Sequence, residues 1–239
     1  MTTAVIDGDI VTYRCAAVNE NADLGLAKWQ ADQLLVRILE ETEADDWKIY
    51  LSGDNNFRYA IFPDYKANRR DLPKPKHLEG LREHLVLEWN ATICDGYEAD
   101  DALGMESGGN EMVICSIDKD LLQLSGTHYN FVRRELKEVD AFSGAVSFYT
   151  QLLCGDPTDN IRGCPGIGKV KAEKALRGCT TERELYERTV ECYRHVYKDL
   201  WEKELELNAQ LLYIWRTEND KWEKPTELSG QEPDQKQSS

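Results

Sequence analysis

Four short apolar runs, each followed within a few residues by acidic side chains, constrain the fold more than any other feature of the sequence. The runs cover residues 4–6, 47–51, 91–94 and 112–115, and the acids that follow them are Asp7, Asp54, Asp95 with Glu98, and Asp118. Apolar runs that alternate with helical patterns, the clearest from Lys28 to Glu41, are typical of buried parallel strands. The sequence therefore predicts an α/β fold with a mainly parallel central sheet flanked by helices. Sites in such sheets form beyond the carboxyl ends of the strands, which is where these acids are expected to lie.

The pattern changes near residue 150, after which turn-rich segments and helical periodicity over 183–196 and 198–215 replace the strand pattern. We predict an α/β core over 1–150, with a helical gateway at about 64–90, and a helical lobe over 151–220. Residues 221–239 contain few apolar side chains and several Pro, Gln and Ser, so they are predicted to form a disordered polar tail.

Charge and cysteine usage narrow the class of protein. The 239 residues carry a net charge of −15, which by itself argues against a nucleic-acid partner. The charge is unevenly distributed, however: seven Lys/Arg face three acids over 58–82, and five face one over 162–177. The seven cysteines form no CxxC pair, which indicates reduced thiols in a cytoplasm. No stretch approaches the roughly 20 apolar residues of a membrane helix, and no secretory signal is apparent.

Five acidic motifs follow the predicted strands or open predicted helices. Taken singly, each is explained as a turn or as an acidic helix start. Gathered at one place, so many carboxylates would repel one another unless cations neutralised them. Oxygen ligands without His or Cys favour Mg²⁺ or Mn²⁺, and a set of this size suits two ions and phosphodiester hydrolysis. The motifs are Asp7-Gly8-Asp9, Ser52-Gly53-Asp54, Glu98-Ala99-Asp100-Asp101, Asp118-Lys119-Asp120 and Gly155-Asp156 to Asn160.

Two basic segments offer contacts to a phosphate backbone. Lys66 and Arg69 are three residues apart and would share one face of a helix, with Arg58 upstream and Arg70 next to them. The glycine loop Gly163–Gly168 precedes Lys169 and Lys171 and allows backbone N–H groups to approach a phosphate. The spacing excludes a Walker A loop. A solvated helix and an ordinary loop remain the alternatives.

In the order and spacing of these motifs the chain resembles the 5′-nuclease or flap endonuclease superfamily, in its standalone phage-type branch. The resemblance runs from about Thr3 to Leu176 and includes Tyr65-Lys66-Ala67-Asn68-Arg69 and Ser116-Ile117-Asp118. It implies 5′→3′ exonuclease and flap endonuclease activity on DNA at 5′ flaps, nicks or duplex 5′ ends, with RNA–DNA hybrids as further substrates. A monomer in the cytoplasm of a bacterial or phage-infected cell is expected, with no membrane partner.

The resemblance also implies roles for individual residues. One divalent ion would be surrounded by Asp7, Asp54, Glu98, Asp100 and Asp101, and the second by Asp118, Asp120, Asp156 and Asp159. Lys66 and Arg69 would join Asp118 and Asp156 as catalytic residues at the scissile phosphate, and Tyr65 would stack on a base. Residues 160–178 would form a helix-three-turn-helix that binds duplex DNA together with K⁺. The remaining DNA contacts would come from Arg58, Arg70, Gly166, Gly168, Lys169 and Lys171.

Two departures from the family pattern and two rival functions bear on this interpretation. Val170 occupies the position after the glycines where the family commonly has Lys, and the gateway is short, with prolines at 73 and 75. A short gateway favours exonuclease action over the threading of long flaps. The rivals are a phosphatase of the haloacid dehalogenase type, with Asp7 as nucleophile, and a non-catalytic DNA-binding protein. Both leave most of the acids without a role.

Overall fold

A mainly parallel sheet is the centre of the structure, a computed structural model that describes residues 1–109 and 111–225. In these residues one sheet of six strands has the order β3-β2-β1-β4-β5-β6, in which only β6 is antiparallel to its neighbour. The strands are β1 Thr3–Asp7, β2 Asp46–Asn56, β3 Thr92–Gly96, β4 Met112–Cys115, β5 Gly126–Asn130 and β6 Glu135–Val139. The fold class predicted from the sequence is confirmed, although the sequence analysis missed β5 and β6.

Helices connect and cover these strands. The α-helices are α1 Gly8–Val18, α2 Leu24–Thr42, α3 Phe57–Ile61, α4 Leu78–Trp89, α5 Ala99–Glu106, α6 Ala141–Cys154, α7 Lys169–Ala175, α8 Glu182–Tyr197 and α9 Trp201–Leu212. Short 3₁₀ turns cover Ala67–Arg69, Asp120–Gln123 and Lys198–Leu200. None of the helices in the described part of the chain has the length and apolar character that a membrane span requires.

Alternation along β1 builds two layers of core. Ala4 and Ile6 face a cluster that includes Leu35 of α2 and Leu81 of α4, whereas Val5 faces Leu103 of α5. Both faces of the strand are therefore covered, which explains why its sequence is apolar throughout.

A separate hydrophobic cluster joins α6, α8 and α9 and includes Phe148 and Tyr149. Helix α6 therefore crosses the domain boundary predicted at residue 150, and the division into 1–150 and 151–220 stays a prediction.

Two other segments differ from expectation. Within the predicted gateway at 64–90, Leu81 and Leu85 of α4 are fully buried against the core, and Tyr65 is buried in the C-terminal cluster, so both ends of this segment pack against the rest of the protein. At the C-terminus, the start of the predicted disordered tail is folded, because Trp222 is 6% exposed within the C-terminal cluster. Residues 226–239 of that predicted tail lie outside the described residues.

Candidate metal and phosphodiester site

The site begins where β1 and β4 end side by side. The chain leaves β1 toward β2 on one side and later returns on the other side as β4, so these two strands form the switch point at which ligands bind in such sheets. Asp7 ends β1 and caps α1, accepting a hydrogen bond from Ile10 N at 3.0 Å. Ser116 Oγ, just after β4, donates to Asp7 Oδ2 at 2.7 Å and accepts from Asp118 N at 3.0 Å. This hydroxyl fixes the two predicted ligands next to each other.

The start of α5 brings two more acids to the same edge. Glu98 is the N-cap residue of α5, and Asp100 lies in its first turn. Repulsion by Asp7 at the end of β1, by Asp118 after β4 and by the neighbouring Glu98 raises the pKa of Asp100, beside the larger effect of burial. Because residues on separate strands and helices interact so strongly, they must lie close together in space.

A turn of the C-terminal lobe supplies the remaining acids. Asp156 and Ile161 form an isolated bridge, and Asp156 Oδ1 accepts from Thr158 N at 2.8 Å. The bridge depends on close approach of Gly155 and Gly163, both of which have positive φ. A Cβ on Gly155 would lie 2.4 Å from Ile161 O. Only glycine fits such a crossing without displacing the turn.

Seven carboxylates thus converge, and we call them the acidic crevice: Asp7, Glu98, Asp100, Asp118, Asp120, Asp156 and Asp159. Five of them line one cavity of about 30 Å³, whose floor is formed by Leu211, Leu212 and Ile214.

Burial raises the pKa of Asp7 to about 7, and it raises the pKa of Asp120 to about 7 with added repulsion from Asp118 and Asp156. The same causes raise the pKa of Asp100 well above its usual value. Such shifts are expected where carboxylates share a dry site without cations.

Lys66 and Arg69 reach the crevice from the gateway side. Lys66 Nζ forms an ion pair with Glu98, and Arg69 Nη2 lies 2.7 Å from Asp159 Oδ1. Burial by itself would raise the pKa of Glu98, but the attraction of the positive charges of Lys66 and Arg58 outweighs it and holds that pKa below its usual value. The sequence-predicted basic pair therefore contacts the predicted metal ligands directly.

The turn that carries this pair is docked on the lobe. Lys66 has φ 53°, in the left-handed region that costs a non-glycine residue about 1–3 kcal/mol. Three hydrogen bonds to the loop at 157–159 offset that cost: Lys66 N to Asp159 O at 3.1 Å, Asn68 Nδ2 to Pro157 O at 2.8 Å and Arg69 Nε to Thr158 O at 2.9 Å. Arg70 is exposed and donates to Pro63 O.

Two predicted site residues instead pair with each other in the interior. Arg58 is 2% exposed and Asp101 is fully buried, and their side chains are joined by hydrogen bonds of 2.6 and 2.9 Å. The prediction that Arg58 contacts DNA is wrong because solvent does not reach its guanidinium. The prediction that Asp101 is a metal ligand is wrong because its carboxylate is fully buried and is already neutralised by the guanidinium of Arg58, which bonds both of its oxygens.

Tyr65 and Asp54 also differ from the predictions. Tyr65 is 2% exposed, so its ring is not available to stack on a base. Its hydroxyl oxygen lies 2.8 Å from Glu98 Oε2 and 3.0 Å from Asp159 Oδ2, and its single proton is shared between these two acceptors. Its role is to orient two acids of the crevice. Asp54 is exposed and lines a neighbouring groove of about 690 Å³ rather than the crevice itself.

That groove contains a pair that the sequence analysis left out of the site. Arg82 Nη1 lies 2.5 Å from Asp9 Oδ1, and its Nη2 donates to Ser52 O at 2.5 Å. Asp9 Oδ2 in turn accepts from Ser52 N at 2.9 Å, and the charge of Asp9 acts on Asp7. The signal in the sequence was the second acid of Asp7-Gly8-Asp9, but nothing local indicated its partner at residue 82.

The glycine loop leads from the crevice to an exposed surface. Gly166 has φ +84° and open space where a Cβ would stand, and Gly168 is the N-cap residue of α7. Lys169 and Lys171 are exposed, and Lys171 Nζ donates to Gly166 O at 2.8 Å. The predicted duplex-binding residues therefore form one accessible surface next to Asp156.

The residues of the crevice suit hard divalent cations by their chemistry, since every candidate ligand is a carboxylate oxygen. In residues 1–109 and 111–225, no three carboxylate, thiolate or imidazole groups already surround a point where an ion would sit. Lys66 and Arg69 instead supply the positive charge, through their ion pairs with Glu98 and Asp159. The carboxylates of the crevice therefore fit divalent ions as ligands. In the structure the side chains of Lys66 and Arg69 neutralise two of these carboxylates, Glu98 and Asp159.

Comparison with known proteins decides the family. The sequence pattern described as "5'-3' exonuclease, N-terminal resolvase-like domain" matches residues 2–148. This chain belongs to that family. The membership confirms the resemblance drawn from the motifs and supports nuclease chemistry over the two rival functions. All the metal-ligand candidates up to Asp120 lie within the matched residues, whereas Asp156 and Asp159 lie beyond them.

Similar proteins extend the match into the C-terminal lobe. Flap endonuclease Xni of Shewanella amazonensis is 28% identical over 201 residues, which cover 76% of this chain and 79% of that enzyme. DNA polymerase I of Bacillus caldotenax is 30% identical over 203 residues, which cover 72% of this chain but 23% of the polymerase. Among solved structures, bacteriophage T5 D15 flap endonuclease in complex with DNA and metal ions shares the fold, with a TM-score of 0.60 and 16% identity over 89% of this chain and 99% of that one.

Proposed function

We propose that this protein is a structure-specific 5′-nuclease that hydrolyses DNA phosphodiester bonds near 5′ ends with the help of two divalent ions. The observation that carries the proposal is one cavity lined by five carboxylates of the acidic crevice, with Asp7 and Asp118 acting on Asp100 and with Lys66 and Arg69 paired to Glu98 and Asp159. Family membership and the similarity to flap endonuclease Xni support the same activity.

The position of each residue in the crevice suggests its role in the reaction. Divalent ions bound at the crevice would supply the charge that activates a water molecule and stabilises the attacking and leaving oxygens. Asp7, Glu98 and Asp100 would hold one ion, and Asp118, Asp120, Asp156 and Asp159 the other, as Mg²⁺ or Mn²⁺. Tyr65 and Ser116 keep these carboxylates oriented through hydrogen bonds of 2.7–3.0 Å. Asp118 and Asp156 remain the acids that we place nearest the reaction.

Lys66 and Arg69 would exchange one partner for another when substrate binds. In the structure Lys66 and Arg69 pair with Glu98 and Asp159. When those carboxylates hold divalent ions, the ammonium and guanidinium groups would be free to face a phosphate at the rim and to stabilise its charge in the transition state.

The substrate side of the proposal rests on the surface formed by the glycine loop and Lys169 and Lys171. Backbone N–H groups at Gly166 and Gly168 and the two lysines would hold duplex DNA by its phosphates, with little reading of bases. The strand to be cut would then pass over the adjacent crevice. A K⁺ ion at this loop, a monomeric state and a cytoplasmic location stay predictions from the resemblance.

The phosphatase alternative requires Asp7 to attack phosphorus as a free carboxylate. Asp7 is 2% exposed, and both its oxygens accept hydrogen bonds, from Ile10 N and Ser116 Oγ. A carboxylate held in this way is suited to orienting a cation and is poorly placed for nucleophilic attack.

The test is cleavage of 5′-labelled flap, nicked and blunt duplex DNA with Mg²⁺ and with EDTA, beside p-nitrophenyl phosphate as the phosphatase substrate. We expect short 5′ products with Mg²⁺ and none with EDTA. Asp156→Asn should abolish cleavage and retain duplex binding, because it removes only a ligand charge. Asp95→Asn is the matched control, since Asp95 is an exposed acid outside the crevice. Cleavage by Asp156→Asn at the normal rate would refute the proposed second ion site.

A further inference from the structure

One segment, the end of α9 and the chain just beyond it, is held in the core by polar side chains of other elements, beside the helical hydrogen bond from Tyr213 N to Ala209 O. Residues 211–215, the end of α9 and the chain beyond it, make no ladder with any strand of the described sheet. Their main-chain groups are instead bonded by side chains. Arg216 Nη1 donates to Ile214 O at 2.9 Å, and the others, Arg58, Gln123 and Asp101, come from distant elements. Arg58 Nε donates to Leu211 O at 2.8 Å, Gln123 Nε2 to Leu212 O at 3.0 Å and Arg58 Nη2 to Tyr213 O at 2.9 Å. Gln123 Oε1 accepts from Ile214 N at 3.0 Å, and Asp101 Oδ1 accepts from Trp215 N at 3.1 Å.

These three side chains are buried, at 2%, 3% and 0% exposure for Arg58, Gln123 and Asp101. A buried polar side chain is stabilising only while its partners are in place, since an unpaired one carries the full cost of desolvation. Arg58 and Asp101 neutralise each other, and the backbone of the segment satisfies the groups that remain. Displacement of the segment would therefore leave a buried ion pair and a buried amide partly unsatisfied.

The segment lies between the two halves of the acidic crevice. On one side Asp101 belongs to the first turn of α5, beside Glu98 and Asp100. On the other side Gln123 ends the 3₁₀ turn that begins at Asp120 and follows Asp118. Leu211, Leu212 and Ile214 form the floor of the cavity that the acids line.

Contact on the α5 side is close as well as polar. A Cβ on Gly104 would lie 2.1 Å from Trp215 O and 2.8 Å from Ile214 Cγ2. Helix α5 therefore rests directly on the backbone of the segment. Leu124, the C-cap residue of the 3₁₀ turn, packs beside the same contact, with its Cδ2 3.3 Å from that Cβ position.

We propose that the 211–215 segment, clasped by Arg58, Asp101 and Gln123, is a positioning element that fixes the separation between the Glu98–Asp100 group and the Asp118–Asp120 group. Through that separation it sets the affinity of the crevice for divalent ions. The proposal rests on the proposed function for the identity of the ions, and it assigns Gln123 and Arg58 as positioning residues rather than metal ligands. The segment lies outside the residues that the family pattern matches, 2–148.

The test is Mn²⁺ binding to the DNA-free full-length protein, followed by electron paramagnetic resonance, for the natural chain and for Gln123→Met. Methionine has a similar volume but cannot bond to Leu212 or Ile214, nor to Asp120 O, which Gln123 Nε2 also contacts at 3.2 Å. Changes of this kind to groups that orient metal ligands cost about 10–100-fold in metal affinity. We expect the dissociation constant for Mn²⁺ to rise by about tenfold or more. The Mg²⁺ concentration for half-maximal cleavage should rise in parallel, and the rate at saturating Mg²⁺ should recover to within a fewfold.

The matched control is Asn19→Leu, which also replaces a buried, doubly bonded amide by an apolar group of similar size. Asn19 Nδ2 donates to Cys15 O and to Gln30 Oε1, at the end of α1 remote from Asp7. Both variants should lose thermal stability, but only Gln123→Met should lose Mn²⁺ affinity. If Gln123→Met does not fold, Gln123→Asn replaces it as the test variant, because its amide is one methylene short of the partners. The dissociation constant for Mn²⁺ should then rise in the same direction but by less.

Unchanged Mn²⁺ affinity in a folded Gln123 variant whose stability falls as in the control would overturn the proposal, since the segment would then merely stabilise the fold. A natural chain that binds no Mn²⁺ would overturn it as well. A natural chain that binds Mn²⁺ but leaves 5′ flaps, nicks and duplex ends intact would refute the proposed function while leaving this inference standing.

Discussion

In the absence of divalent ions, the free energy of unfolding of the protein is expected to fall as the pH rises from about 5 to about 7. Burial raises the pKa of both Asp7 and Asp120 from the ordinary value of 3.8 to about 7. In the unfolded chain the same groups lose their protons near pH 4. Between these limits the folded protein binds more protons than the unfolded chain, so the free energy of unfolding falls with rising pH.

The size of the effect follows from these shifts. One pH unit is worth about 1.4 kcal/mol for each such proton, so two acids give a slope of about 2.7 kcal/mol per unit. From about pH 5 to about pH 7 the loss approaches 5 kcal/mol, comparable to the whole stability of a marginal domain. Asp100, whose pKa is also raised by burial, acts in the same direction. Glu98, whose pKa is lowered despite its burial, acts in the opposite direction, but its contribution is complete below this interval.

Urea unfolding at a series of pH values, in EDTA and in saturating Mg²⁺, measures this slope. Bound cations favour the ionised carboxylates, so Mg²⁺ should flatten the dependence. Asp120→Asn should reduce the slope of the unfolding free energy against pH in EDTA by the contribution of about one proton. It should also stabilise the metal-free protein at neutral pH. A free energy of unfolding that stays constant or rises over this interval in EDTA would refute the reasoning, because it would mean that these carboxylates are well solvated and apart.

Three further predictions concern single elements of the site. Lys66→Ala should lower the single-turnover cleavage rate by about 10²–10³, the usual loss when one charge-stabilising donor is removed, and an unchanged rate would exclude Lys66 from catalysis. The double change Lys169→Ala and Lys171→Ala should reduce the slope of log affinity for duplex DNA against log salt by about 1.8, and an unaltered slope would place the duplex elsewhere. Gly155→Ala should cost at least about 2 kcal/mol in unfolding experiments because of its positive φ and its contact with Ile161 O, whereas Gly108→Ala, with open space around it, should be nearly neutral.

The sequence predicted the parts of the site that depend on strand ends. Asp7 and Asp118 come directly after apolar runs, and parallel strands place such residues at one sheet edge whatever the details of packing. The roles of Lys66 and Arg69 came from the family resemblance of their motif and stay predictions. The placement of Asp7 and Asp118 needed only periodicity and the position of a residue relative to the end of its strand.

The wrong predictions concern residues whose environment is set by distant partners. Arg58 lies in a basic stretch of sequence, but its partners are Asp101 and the carbonyls of Leu211 and Tyr213, which lie 43, 153 and 155 residues away. Tyr65 likewise packs into the C-terminal cluster, with Phe148 and Leu152. Charge and aromatic character within a window do not report such pairing, so both side chains were read as exposed DNA contacts.

These distant contacts also explain why residues 2–148 hold an incomplete site. The C-terminal lobe supplies Asp156 and Asp159, docks the turn that carries Lys66 and Arg69, and forms the floor of the crevice through the 211–215 segment. A phosphate backbone held by the glycine loop would bear on the same lobe, a few residues from Asp156. If the proposed duplex contacts are right, the C-terminal lobe carries duplex binding, the docking of Lys66 and Arg69 and the spacing of the carboxylates. A change that loosens the lobe should then weaken all three together.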